Sequence, residues 1–257
     1  MDGLQTLLST EMRDNWKLFL GINGLAGHSA PLDSAMIFSA NDLLFALPVV
    51  LLVVWLLLAR WSPFSRWLTR RADASTAEGD RWLGQRALLA GALGVGLSLG
   101  LTLLVGALIF EPRPFISHPS VAHKLIAHPA DASFPSDHET VAMAIALALT
   151  FYAVWLLIHI ARERVRQGSQ RRNANLDLKR APWLGRTAPA LIAAALALVI
   201  AVTIGFARIY VGVHYPVDIA GGAVSGFVGD VIAFALMPLA QRVYRPLVRL
   251  ATVLRLA

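Results

Sequence analysis

The chain contains no cysteine. That removes disulfides, thiolate nucleophiles and thiolate zinc sites, and it leaves the compartment open, because a lack of disulfides suits either side of a membrane. Charge is scarce too: Asp, Glu, Lys and Arg make up 15% of the 257 residues against 56% hydrophobic, with a mean hydropathy of +0.60. That balance excludes a disordered tail and an ordinary soluble domain. Long polar stretches are missing as well, since the segments between apolar runs reach only about thirty residues, short of most independently stable folds. Neither an internal repeat nor a separate soluble domain is expected. Glu11, Arg13, Asp14 and Lys17 interrupt the first part of the chain, so no cleaved signal peptide is expected.

What remains is apolar runs of membrane length. A spanning helix needs about 20 mainly apolar residues, and five segments qualify: Ser34 to Ala59, Ala87 to Phe110, Thr140 to Ile160, Ala188 to Phe206 and Asp218 to Ala240. Before them, Asn15 to Ala30 mixes Trp16, Phe19 and Leu20 with polar residues and suits a helix lying in the interface. The expected fold is all-α: one integral membrane bundle of about five transmembrane helices plus an N-terminal interfacial helix, spanning 1–257 with its core at about 16–240. Lys and Arg outnumber Asp and Glu 23 to 16, but they flank apolar runs, so they read as topology signals and no nucleic-acid partner is expected. Of the 23, 18 fall in the segments 60–86 and 162–186 and in the tail 241–257, and five fall elsewhere. The positive-inside rule then places the basic loops and tail in the cytoplasm, and the N-terminus with loops Glu111 to Glu139 and Ala207 to Val217 outside. The loop 162–186 has a topogenic role, with anionic lipid contact as a second effect.

The outer segments carry Glu111-Pro-Arg113-Pro, then Phe134-Pro-Ser136-Asp137-His138, then Arg208 followed by His214 and Asp218. Each group abuts a helix end, and antiparallel packing would gather the four ends at one level. Two arginines beside a helix N-terminus make an anion site, because guanidinium forks match phosphate oxygens and free N–H groups favour negative charge. Ser136 and Glu139 also have the spacing of a capping box, which can coexist with anion binding. His214 and Asp218, four apart, share a helical face, so the carboxylate can hold one ring nitrogen while the other meets a substrate as nucleophile or base. Taken alone, that pair also fits a structural hydrogen bond. Two histidines and two arginines converging on one membrane face have no packing rationale.

These pieces, Arg113-Pro114, Pro135-Ser136-Asp137-His138 and Arg208 with His214 and Asp218, resemble the three-part signature of the type 2 phosphatidic acid phosphatase superfamily. The longer strings FEPRPF, ADASFPSDH and ARIYVGVHYPVD resemble its bacterial undecaprenyl-diphosphatase branch, associated with bacitracin resistance. The resemblance implies His214 as the nucleophile, Asp218 as its orienting carboxylate and His138 as the acid that protonates the leaving phosphate. It implies that Arg113, Arg208 and the segment at Ser136 and Asp137 bind the phosphoryl oxygens, with no metal or other cofactor. The implied partners are a polyprenyl diphosphate and membrane lipids, with no obligate protein partner, and the implied location is the bacterial cytoplasmic membrane. Gly106 stands where the broad superfamily has a Lys, Ala207 where a Ser often precedes the second Arg, and Asp137 where it has Gly. Glu111 is open between a metal contact, a substrate contact and an ion pair with Arg113 or Arg208, the last being the expectation.

Other residues fit blander roles. His118, His123 and His128 recur every five residues, which does not align on one helix face, so loop or interfacial roles are expected over metal binding. Asp230 lies twelve residues beyond Asp218, near mid-bilayer at about 1.5 Å per residue. It is expected to be a protonated group bonded to a neighbouring helix, the alternative being a proton path. Gly222 and Gly226 form a small-residue seam. Phosphatidic acid, phosphatidylglycerophosphate or another polyprenyl diphosphate are alternative substrates, and a lipid or ion transporter is the alternative of a different class.

Overall fold

The computed structural model describes residues 2–60, 74–170 and 182–237. Its helices are α1 (Asp2–Asn23), α2 (Ala30–Asn41), α3 (Ala46–Arg60), α4 (Ala74–Leu108), α5 (Pro114–Ser117), α6 (Asp137–Gln170), α7 (Pro182–Tyr210) and α8 (Pro216–Leu236). Among the described residues there is no strand, and one isolated bridge joins Pro112 to Ala132. The protein is an all-helical, multi-pass membrane protein. Among the described residues four helices are long and apolar enough to cross: Leu88–Leu108, Asp137–Arg162, Thr187–Tyr210 and Pro216–Leu236. The expected first span, Ser34 to Ala59, is instead broken, Ala30–Asn41 and Leu43–Val54 meeting at 49°. The break falls at Asn41-Asp42, side chains that compete with the backbone for hydrogen bonds and end helices.

The expected interfacial helix at Asn15 to Ala30 is also redrawn. α1 begins at Asp2 and stops at Asn23, and a turn carrying Gly27 at φ +83° leads into α2. α6 and α7 run past the expected span ends into the basic segment 162–186, whose centre, 171–181, lies outside the described residues. The same holds for 61–73 and for the basic tail.

α6 is the central helix, packed against α4, α7 and α8, and α4 closes the bundle on α8. The reason is a stripe of small and aliphatic residues at helical spacing. On α6 it is Ala142, Ile145, Ala146, Leu149, Ala153, Leu156 and Ile160, and on α7 Ala190, Ala194, Ala197, Ala201 and Ile204, all buried. Outward positions such as Leu103, Leu104, Ile192, Val199, Val224 and Phe227 are apolar and exposed, as a lipid-facing surface requires. The glycine seam of α8 lets backbones touch: a Cβ on Gly226 would stand 3.0 Å from Ala144 N and Thr140 O of α6.

Asp230 is fully buried on α8, against Gly94 of α4. Neither of its carboxyl oxygens has a hydrogen-bond partner, so the expected bond to a neighbouring helix is not made. The nearest hydroxyl on α4, that of Ser98, donates instead to Gly226 O at 3.1 Å.

Candidate active site

Four helix ends meet at one end of the bundle, as antiparallel packing required: the C-terminal ends of α4 and α7 and the N-terminal ends of α6 and α8. The α7–α8 connection turns at Gly212, φ +81°, where a Cβ would strike the His123 carbonyl. His214 follows, fully buried, and Pro216 opens α8 with Asp218 in its first turn.

One oxygen of Asp218, Oδ2, organises this turn. It accepts from Tyr215 N at 2.7 Å and from the Ser133 hydroxyl, and it faces His214 Nδ1 at 3.3 Å. On the other side of the ring, Arg113 Nη1 lies 3.0 Å and Arg208 Nη2 3.3 Å from His214 Nε2. A guanidinium can only donate, so Nε2 accepts and Nδ1 carries the proton toward the carboxylate. Burial and the two arginines hold the imidazole well below its ordinary pKa of 6.5, which keeps it neutral with a lone pair on Nε2. Arg113 and Arg208 are themselves buried, 3% and 1% exposed, so their charge acts with little solvent screening. Chemically, this is a buried nucleophile or base with a cationic site at its reactive atom.

The start of α6 differs from expectation. Ser136 is buried and its hydroxyl accepts from Glu139 N at 3.4 Å, one half of the capping box. The other half is missing: the Glu139 carboxylate turns to Gly205 of α7, with Oε2 buried and unpartnered. Ser136 N donates to Asp218 O at 3.1 Å and His138 N to Asp137 Oδ1 at 2.8 Å. Those N–H groups are therefore spent on the protein's own oxygens, and a carboxylate already occupies the positive end of this helix. In this arrangement Ser136 N and Asp137 Oδ1 both bond within the protein. His138 sits at the rim, its side chain 26% exposed, with Nδ1 3.1 Å from Asp137 Oδ1 and no hydrogen bond to His214.

Glu111 is half-buried, and burial followed by the charge of Asp218 pushes its carboxyl up to about 7. The expected ion pair with an arginine is absent, because Asp131 takes Arg113 Nε at 2.7 Å and Arg208 turns to imidazoles. His118 packs on Trp16 at 4.1 Å between ring centres, and His123 is held through its backbone by Asn23. His128, in contrast, reaches the site: Nε2 is 2.9 Å from Arg208 Nη2, and its ring centre is 6.3 Å from that of His214. Among the described residues no group of three or more His, Asp or Glu could hold a metal ion.

His128, Asp131, Ser133 and Asn23 are the site residues that sequence reasoning missed. Asp131 and Ser133 lie inside the string ADASFPSDH, which was the available signal, whereas Asn23 is distant in sequence. Asn23 donates to the carbonyls of His123 and Tyr210, each at 2.8 Å, and accepts from His123 N at 2.8 Å, so one buried amide ties α1 to the loop and to the end of α7.

The PAP2 superfamily matches residues 87–242, a stretch that holds all four helix ends and each of the residues around His214. The chain belongs to that superfamily. It is a PAP2 membrane phosphatase, and relatives agree. Undecaprenyl-diphosphatase BcrC of Bacillus subtilis (strain 168) is 32% identical over 210 residues, 82% of this chain and 77% of BcrC. YbjG of Escherichia coli (strain K12) is 28% identical over 216 residues, 84% of this chain and 78% of YbjG. The crystal structure of Aquifex aeolicus LpxE has the same fold, with a TM-score of 0.50 at 20% identity, covering 86% of this chain and 94% of LpxE. In this PAP2 chain Gly106 faces the Phe134 carbonyl, 3.4 Å from where a Cβ would lie, and Ala207 is fully buried.

Proposed function

We propose that this PAP2 phosphatase hydrolyses undecaprenyl diphosphate to undecaprenyl phosphate and inorganic phosphate, recycling a lipid carrier for cell-wall synthesis and conferring bacitracin resistance. The observation that carries the chemistry is His214, with Nδ1 on Asp218 and Nε2 under Arg113 and Arg208. The substrate follows from the relatives, and the outward position of the site follows from the distribution of Lys and Arg.

In this reading the phosphoryl oxygens take the arginine N–H groups that now face Nε2, which frees the lone pair. Nε2 attacks the terminal phosphorus, and the bond from that phosphorus to the bridging oxygen breaks. The electron pair leaves with undecaprenyl phosphate, whose bridging oxygen takes a proton from His138. Water then attacks the phosphohistidine, giving a proton back to His138, and the P–N bond breaks to release inorganic phosphate and return the electron pair to Nε2. Asp218 stabilises the positive ring, and the arginines stabilise a metaphosphate-like transition state. Charge neutralisation falls to the arginines, so no metal or other cofactor is assigned a step.

The test is phosphate release by detergent-purified protein from undecaprenyl diphosphate, phosphatidic acid and phosphatidylglycerophosphate, with and without excess chelator and with His214→Ala. Preferential turnover of the diphosphate that survives chelation and vanishes in the variant is expected. Better turnover of the glycerolipids would refute the substrate, and full activity in His214→Ala would refute the nucleophile.

A further inference from the structure

Arg113 and Arg208 both aim an N–H at His214 Nε2, yet their remaining contacts differ. Arg113 spends Nε on Asp131 at 2.7 Å, Nη1 also on Val213 O at 3.0 Å and Nη2 on Ala132 O at 3.1 Å. It is locked to a carboxylate and two carbonyls. Arg208 makes no ion pair among the described residues. Its Nη2 reaches only the imidazoles of His128 and His214, and its buried Nε has no hydrogen-bond partner. A guanidinium donates only, so His128 accepts at Nε2 and must be neutral, its Nδ1 proton directed at Pro129 O, 3.1 Å away.

His128 and Asp131 lie on one short stretch that is itself held in place. Lys124 Nζ donates to His128 O at 3.1 Å, Ser133 N donates to Glu111 O at 2.7 Å, and Pro112 bridges to Ala132. The stretch therefore sets the positions of both arginines relative to α4 and α7.

We propose that His128 and Asp131 are positioning residues for phosphoryl transfer, each aiming one arginine at Nε2 of His214: His128 through Arg208, and Asp131 through Arg113. The proposal rests on the reading of His214 as nucleophile and not on the identity of the lipid. It assigns the arginines unequal tasks. Arg113 is a fixed donor, whereas Arg208 exchanges neutral imidazole partners for phosphoryl oxygens, which a charged receptor prefers.

Crossed double-mutant cycles test it. Phosphate release is measured for His128→Phe, His128→Gln, Asp131→Ala and Asp131→Asn, alone and with Arg208→Ala or Arg113→Ala. His128→Phe should lower kcat/KM by about 10- to 100-fold, the worth of a hydrogen bond to a charged group, with melting unchanged. Gln, whose amide oxygen accepts where Nε2 did, should restore most of the loss. Once Arg208 is Ala, His128→Phe should cost less than about threefold, while its full cost persists with Arg113→Ala. Asp131→Ala should show the mirrored pattern, with Asn restoring part of it. Binding of inorganic phosphate, read on the same set, should follow the same coupling and serves where turnover is too slow.

Equal costs in both arginine backgrounds, or Gln no better than Phe, would overturn the proposal, and so would a loss that tracks lowered melting. If the protein turns over phosphatidic acid and not the polyprenyl diphosphate, the proposed substrate falls while the cycles, run on that lipid, still decide the positioning roles.

Discussion

Replacing Asp218 with Asn isolates the charge that the geometry places behind His214, the proposed nucleophile. All three donors converge on Oδ2, while Oδ1 is buried without a partner. An amide can thus put its oxygen where Oδ2 stands, keep the three contacts and lose only the charge. In the proposed mechanism that charge matters when His214 becomes cationic on bonding phosphorus. Opposite unit charges 3.3 Å apart attract by about 5 kcal/mol at an effective dielectric of about 20. At about 1.4 kcal/mol per tenfold, the loss is capped at about three to four powers of ten. The expected outcome is a fall in kcat of about 10²- to 10⁴-fold, with KM and the thermal melt close to wild type. Asp218→Ala should instead leave Tyr215 N and the Ser133 hydroxyl unpaired and lower stability as well, by about 1–3 kcal/mol per group. The assay is single-turnover phosphate release alongside a detergent-state melt. A loss in Asp218→Asn below tenfold would refute the reasoning, because the carboxylate would then be only a hydrogen-bond acceptor for the turn.

Glu111 binds its proton more tightly folded, at about 7, than at its ordinary 4.5. Its contribution is thus complete below pH 4.5 and lost as pH rises through about 7. Wild type should lose melting temperature over that window relative to Glu111→Gln, and parallel melting curves would contradict this. His214, with its pKa lowered, behaves oppositely: folding is disfavoured as pH falls below 6.5, and the acid limb of kcat/KM should lie under the ordinary histidine range, as a rate profile would show. Gly229→Ala would drive a methyl into the Ser98 backbone of α4, at a cost of about 1–3 kcal/mol read from the melt. Asp230→Asn removes an acid with no partner, so turnover and melting should hold; abolished turnover in a folded variant would reopen a proton-path role.

The membrane class, the long spans and the four motif-bearing helix ends were legible in the sequence, because a bilayer enforces length and hydropathy locally, residue by residue. His214, Asp218, Arg113 and Arg208 were legible too: a four-residue spacing shares a helical face, and antiparallel helices bring their ends to one level. The bend at Asn41-Asp42, the true extent of α1 and the fate of α6's first-turn N–H groups were not. Each depends on which of several competing hydrogen bonds wins, and that is settled only when segments distant in sequence meet.

An all-helical membrane protein with two histidines and two arginines at its helix ends could be read from the residues alone, since periodicity and hydropathy are local properties. Packing settled that Asp131 and not Glu111 holds Arg113, that His128 alone of three evenly spaced histidines comes up to His214, and that Asp230 lies unpartnered against Gly94. Charged and polar groups inside a membrane protein take whatever partner packing brings within about 3 Å, and the chain between Ser117 and Asp137 has no periodicity from which those partners could be read.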